Sequence, residues 1–421
     1  MATAKSLKNI VFDQIRQGKM VEAFHKLKPQ LEQSEQAREL FLMLLRCKNN
    51  IFLLVPLADE LRDGSGQGNP WMDYAYARYL DCVHPASCSI AKENYERALA
   101  AGISDARLYL AYYYRDGDLG KVDFEKYYIE VQKAIDENSH AAMQQRLRQY
   151  IFGVDYCERD IEKALGLLYN FISMASFGDT VLDPCYYYLM GNAFQEQDKD
   201  ADAAEWYRKA FETGYLPACL DWAVSSYCEE GHIANPDKFI EIVNQGMDVA
   251  SGSAFLYSSI FYEENMLRRM DKSMQEKFRE CVKSELSLAV YLGESLGAYF
   301  LGNNYYYGLM GFRKNKTKAW KWFETGATYR DAGCYAMMAQ MVKDGKCPKE
   351  FEGHLEHLQL CSLRCGNGEM LAPVVDAYFR GELENFAEEI ENNYIPLLDE
   401  MYPDDEDDEG PDDDGRFDAW S

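Results

Sequence analysis

Three stretches of this chain repeat one another. Residues 91–117 read AKENYERALAAGISDARLYLAYYYRDG, residues 203–231 read AAEWYRKAFETGYLPACLDWAVSSYCEEG, and residues 319–345 read AWKWFETGATYRDAGCYAMMAQMVKDG. Each runs from an Ala through an aromatic-bearing segment to small residues at four-residue steps, then to a second aromatic-rich stretch and a Gly. With the small residues Ala98, Ala210 and Gly326 as anchors, further copies fall at Ala134, Phe171, Gly246, Val290 and Ser362. The steps between successive anchors are 36, 37, 39, 36, 44, 36 and 36 residues. The fit is loosest at Phe171 and Val290, where the small residue is missing. A fixed period of this length constrains the fold more than any single motif, because each copy must then be one supersecondary unit stacked on its neighbours.

The register within a unit follows from side-chain size. A second small residue comes eight positions after most anchors, at Ala106, Ala142, Ala218, Ala254, Ala298 and Cys334, with Cys185 displaced by an insertion. An apolar helical pattern then runs for about three turns. It ends on Gly117, Gly153, Asn265, Gly345 and Gly381, residue types that accept the left-handed conformation closing a helix. Pro184 and Pro217 each precede the small residue, where the first turn of a helix tolerates proline. Each unit therefore reads helix, turn, helix, turn. Small residues let the paired helices approach, and aromatics fill the space toward the next pair.

Two segments, LGNNYYYGLMGFRKNKTKAWKWFETGA (301–327) and YLMGNAFQEQDKDADAAEWYRKAFETG (188–214), carry a family resemblance. The pattern is met by Ala298, Leu301, Gly302, Tyr305, Gly308, Asn315, Lys318, Ala319, Trp322 and Phe323. It recurs in Trp206, Tyr207, Ala210, Gly214 and Ala218, and in Ala98, Gly102 and Ala106. The chain resembles Sel1-like repeat proteins, relatives of tetratricopeptide repeats, over about residues 87–381. The resemblance implies an all-α, right-handed α-solenoid that serves protein–protein interaction without catalysis. Some secreted members carry a disulfide in each hairpin. The twelve cysteines here show no such regular pairing, which favours an intracellular relative.

The expected organisation is a helical N-terminal cap over 1–62, a flexible loop at 63–70 (DGSGQGNP), a repeat solenoid over 71–402 and an acidic, disordered tail over 403–421. The solenoid should hold about sixteen helices. The tail, PDDEDDEGPDDDGRFDAWS, is too charged and too poor in apolar residues to pack. Charge is lopsided: 44 Lys+Arg stand against 70 Asp+Glu, for a net charge of −26. Such a surface repels phosphate backbones, so the body is not expected to take nucleic acid; a basic protein or peptide suits it better. The N-terminus shows no secretory signal, and no stretch approaches the roughly 20 apolar residues of a membrane helix. The expectation is a cytoplasmic protein.

No motif carries chemistry. His354, His357, Cys361 and Cys365 share a helix face, but the outer two lie eleven residues apart, about 16 Å along a helix. One zinc, with ligands about 2.0–2.3 Å from the metal, cannot collect all four. The tail fails as a calcium loop, because setting Gly410 at position six puts Arg416 where a bidentate Glu belongs. GSGQG lacks the preceding strand and following Lys of a phosphate loop. No cofactor is expected, and the chain is not expected to be an enzyme.

What the residues leave is a scaffold whose concave face grips a protein or peptide partner. The alternative is an immunity or inhibitor-like protein that neutralises a toxin or a basic nucleic-acid-binding protein through its acidic surface and tail. Candidate contact residues are Tyr306 and Tyr307, whichever points outward, with Asp404, Asp405, Asp407, Asp408, Phe417 and Trp420 in the tail. Trp322 is expected to be committed to packing.

Overall fold

The structure, a computed structural model, describes residues 6–118, 120–176, 181–229, 232–260 and 271–401. The tail residues 403–421, with Asp404, Asp405, Asp407, Asp408, Phe417 and Trp420, lie outside them, as does Asn265. The chain is an all-α solenoid of helix hairpins. Eight hairpins follow one another, built on helices Cys88–Ala100 with Asp105–Asp116, Phe124–Asp136 with His140–Phe152, Ile161–Ser176 with Cys185–Gln195, Asp200–Glu212 with Ala218–Tyr227, Pro236–Asp248 with Gly252–Ile260, Lys272–Tyr291 with Leu296–Asn303, Lys316–Thr328 with Ala332–Lys343, and Leu355–Arg364 with Leu371–Phe379. Every anchor falls in the first helix of its hairpin. A short antiparallel pairing of Cys228–Glu229 with His232–Ile233 joins the fourth hairpin to the fifth.

The small residues sit where the helices cross. Ala98, Ala106, Ala134, Ala142, Ala210, Ala218, Ala254 and Ala298 are all 0% exposed. A methyl group at Gly246 would stand 2.7 Å from the Ala254 Cβ. A second seam links successive hairpins. Gly302 lies under the buried ring of Phe323, and Gly191 under that of Tyr207. Glycine is required there because no side chain fits between helix backbone and ring.

Five of the first helices start on a polar cap. Asp123, Asp160, Asn235, Asp271 and Asn315 accept a hydrogen bond from the backbone N–H three residues on. Three of these caps also donate their own N–H to the carbonyl of a tyrosine in the preceding helix: Asp123 to Tyr114, Asp160 to Tyr150, and Asn315 to Tyr305. This fixes the angle between hairpins. The 44-residue step before Val290 has a local cause, since the first helix of the sixth hairpin is extended to 20 residues. Gly117 and Gly153 close their helices with φ of 69° and 66°.

The N-terminal helices do more than cover the first hairpin. Helices Leu7–Arg16, Met20–Leu27, Glu35–Arg46 and Lys48–Phe52 lie against the turns inside seven successive hairpins. Arg46 bonds Asp105 in the first and Asp183 in the third. His140 of the second feels the charges of Arg46 and Glu39. Ile15 packs on Gly214 of the fourth, and Gly18 on Val249 of the fifth. Asn49 donates to the Ala250 carbonyl and accepts from Gly252 N at 2.9 Å. Phe52 lies on Gly293 of the sixth and meets Tyr329 of the seventh edge-on at 5.9 Å. A segment of some forty residues can reach seven turns only if those turns converge on it. The interior of the superhelix is therefore largely filled by the chain's own N-terminal helices.

The far end closes back on the beginning. Arg330 pairs with Asp116 and Asp118, and Lys121 pairs with Glu388. Phe124 packs against the C-terminal cluster of Leu360, Val374, Val375 and Tyr394.

Candidate functional site

Several places among the described residues could hold a ligand or a partner. The first is the tyrosine run. Residues Asn304–Gly308 form a π-helical turn that ends the helix Leu296–Asn303. The widened turn splays the three rings. Tyr305 points inward, 8% exposed, and meets Phe312 edge-on at 5.0 Å. Tyr306 is half-buried; its hydroxyl donates to Asp344 Oδ2 at 2.7 Å and accepts from Lys346 Nζ at 2.8 Å. Lys346, Tyr306 and Gln340 together hold the Asp344 carboxyl down at about 2. Tyr307 points outward, 48% exposed, with Leu309 beside it at 39%. Gly308 closes the turn, and the residues that follow, Arg313, Lys314, Lys316 and Lys318, are exposed. Ala319 and Phe323 are buried, while Trp322 and Trp206 are half-buried. Tyr207 is buried, and Gly102 and Gly214 take positive φ in their hairpin turns.

The second is a cleft of about 990 Å³ between the first two hairpins and residues 388–393. Its apolar floor is Leu99, Leu110, Val122 and Phe124, with Tyr113 and Tyr114. Its charged rim has six carboxylates, Glu96, Asp123, Glu125, Glu130, Glu388 and Glu389, against Lys92, Arg107 and Lys121. Arg107 is held by Glu130 and Glu137, and Glu389 by Arg364. No local motif marks this cleft in sequence, because its two walls lie more than 250 residues apart and meet only when the array closes.

The third is a cavity of about 350 Å³ among the N-terminal residues Arg46 and Lys48, the helix Pro70–Val83 that precedes the first hairpin, the second helices of the first two hairpins, and Tyr329 and Arg330 of the seventh turn. Arg46, Lys48, Arg78, Arg115, Arg148 and Arg330 line it, with Asp81, Asp116 and Asp118. A weak sequence signal existed. Arg78, Arg115 and Arg148 follow one another at steps of 37 and 33 residues, near the repeat period, each on a helix that lines the cavity.

The metal-like quartet does not assemble. His357 Nε2 lies 3.7 Å from Cys361 Sγ, and no group of three metal-binding side chains occurs among the described residues. The groove expected along the concave side is not open where the N-terminal helices cross the turns. Among the described residues no helix is long and apolar enough to cross a membrane.

Comparison with known proteins returns no matching family model and no similar curated protein. Similar solved structures include c5321, described as a protective antigen of uropathogenic Escherichia coli displaying an SLR fold. It is 18% identical, with 90% of this chain and 76% of that one covered and a TM-score of 0.36. A Sel1 repeat protein from Oxalobacter formigenes is also 18% identical, covering 77% and 92%, with a TM-score of 0.36. The APC/C hetero-tetramer Cut9-Hcn1 is 14% identical, covering 93% and 89%, with a TM-score of 0.32.

Proposed function

We propose that this array of Sel1-like hairpins is a non-catalytic scaffold that binds a protein or peptide of basic character in the cleft between the first two hairpins and residues 388–393. The observation that carries this reading is the cleft's composition. An apolar, aromatic floor under a rim of six carboxylates and three cations suits an extended segment that buries an apolar side chain and leaves Lys or Arg at the edge. The walls are rigid elements locked by the seams, so little ordering of the scaffold accompanies binding. The cleft replaces the concave groove as the binding place, because the N-terminal helices occupy much of the interior.

The test is a library of short peptides of graded charge, measured for binding to the intact chain, to Glu125→Lys and to the chain shortened at 402. Basic peptides should bind preferentially, weaken steeply between low and moderate salt, and lose at least tenfold with Glu125→Lys. Unchanged binding by Glu125→Lys would remove the cleft. Loss of binding only in the shortened chain would favour the neutraliser that acts through the acidic tail.

A further inference from the structure

The cavity of about 350 Å³ holds cations that are not all taken up in ion pairs. Three of its six are committed. Arg46 is shared by Asp105 and Asp183, Arg115 by Asp116 and Asp155, and Arg330 by Asp116 and Asp118. The other three form no ion pair with a carboxylate among the described residues. Arg78 is buried, 6% exposed; its Nε donates to the Leu45 carbonyl at 3.1 Å and its guanidinium lies 3.8 Å from the Tyr109 ring centre. Arg148 is half-buried and has as its polar partner the Cys185 sulfur at 3.6 Å. Lys48 lies over the rings of Phe52 and Tyr329 and in the field of Glu294. The third lining carboxylate, Asp81, accepts the hydroxyls of Tyr95 and Tyr113 at 2.6 Å each.

Asp81 lies in the field of Arg78 but gives its oxygens to the two tyrosines, and a buried guanidinium without a directly paired anion is costly; interiors retain such a charge when something pairs with it. Cation–π contact with Tyr109 offsets part of that cost and aims the planar fork without neutralising it. Tyr112 lies in the fields of Arg115, Arg148 and Arg78 together, so the three cations face one region. Guanidinium forks match the oxygens of a phosphoryl group in pairs, and tyrosine rings supply flat walls for whatever carries it. Arg115 and Arg330, both on the cavity lining, keep 26% and 34% of their side chains exposed to solvent. The acidic exterior repels long polyanions, but a small anion inside meets the local cations at short range.

The geometry points to a binding site for a small phosphoryl-bearing molecule in this cavity, with Arg78 and Arg148 as its principal ligands and Lys48 at its edge. The inference is independent of the peptide cleft, which shares only Tyr113 with this cavity.

Isothermal titration of the full chain at fixed ionic strength, with inorganic phosphate and separately with adenosine monophosphate, tests it. Saturable binding of at least one probe is expected, weakened at least tenfold by Arg148→Gln and by Arg78→Gln, and unchanged by Lys316→Gln on the exposed basic turn. Tighter binding of the nucleotide would identify an organic phosphate as the ligand; equal binding would identify the free ion. Circular dichroism checks each variant, and if Arg78→Gln does not fold, the more exposed Arg148→Gln decides. Absence of saturable binding to either probe, unchanged affinity in Arg148→Gln, or loss of affinity in Lys316→Gln would overturn the assignment.

Discussion

Replacing a helical glycine by alanine ordinarily stabilises a helix, by about 1 kcal/mol. At Gly302 the sign should reverse. A methyl group there would stand 2.5 Å from Cδ1 and 2.7 Å from Cζ of Phe323, and closer still to Cε1. Phe323 is 0% exposed, so its ring has no free space to move into. Overpacking of a tight core costs about 1–3 kcal/mol, and a clash with a pinned aromatic ring belongs at the upper end. Set against the helix gain, Gly302→Ala should lose about 1–2 kcal/mol. Gly166 is the control: it is helical and exposed, and nothing lies within 4 Å of a methyl placed there. Gly166→Ala should gain up to about 1 kcal/mol. Urea denaturation followed by far-ultraviolet circular dichroism reads both as midpoint shifts of opposite sign. Combining Gly302→Ala with Phe323→Leu, which shortens the opposing side chain, should recover part of the loss and give a coupling of about 1 kcal/mol. If Gly302→Ala stabilises as much as Gly166→Ala, the close seam between hairpins is not as described.

Three further outcomes follow from the interior. Arg46→Ala should cost about 3–5 kcal/mol, because it strands the buried carboxylates Asp105 and Asp183. Burial works against the ionised form of Asp105, and Arg46, Ser139 and the Ala141 N–H outweigh it and hold the carboxyl below its ordinary range. In the wild type this stabilisation is complete above the unfolded value and fades as pH falls through the folded one, so the variant's deficit should narrow in acid-titrated melts. Asp221 behaves oppositely: burial pushes its carboxyl up to about 6. A raised folded value favours folding below the unfolded value, and that advantage is lost as pH rises through 6. Asp221→Asn should therefore gain up to about 3 kcal/mol over wild type at pH 8 and about half that at pH 5, measured by denaturation at both. Phe52→Ala should cost about 3–5 kcal/mol by removing a ring that fills the space between the sixth and seventh turns, and limited proteolysis should then cut residues 47–58 first.

Local chemistry made the hairpins legible. Ala98, Ala210 and Gly326 show at the repeat period because close helix crossings tolerate nothing larger, and Gly117 and Gly153 show because they end helices in the left-handed conformation. The tyrosine run was legible in part. Tyr305 turns inward as its repeat position requires, but the π-helical turn that leaves Tyr307 outside and pins Tyr306 to Asp344 has no periodic signal. At the neighbouring tryptophans, Trp320 is 3% exposed against Phe351 at 4.8 Å, and Trp322 beside it is half-buried. Position 320 is decided by the next hairpin's turn, which a single-unit alignment does not contain. The N-terminal helices were the least legible. Ile15, Asn49 and Phe52 look like ordinary residues of amphipathic helices, and their partners at 214, 250–252, 293 and 329 are set by how the array curves. The same holds for the acidic cleft and the arginine cavity, whose walls come from segments distant in sequence.

Hydrogen–deuterium exchange on the intact chain tests most directly whether the N-terminal helices fill the superhelix. The amides of Asn50–Leu54, in the segment that lies across the fifth to seventh turns, should exchange as slowly as those at Tyr207 and Ala210 on the packed face of the helix Asp200–Glu212. Exchange of that segment at the rate of the exposed turn 313–316 would contradict the filled interior and reopen the groove to a partner.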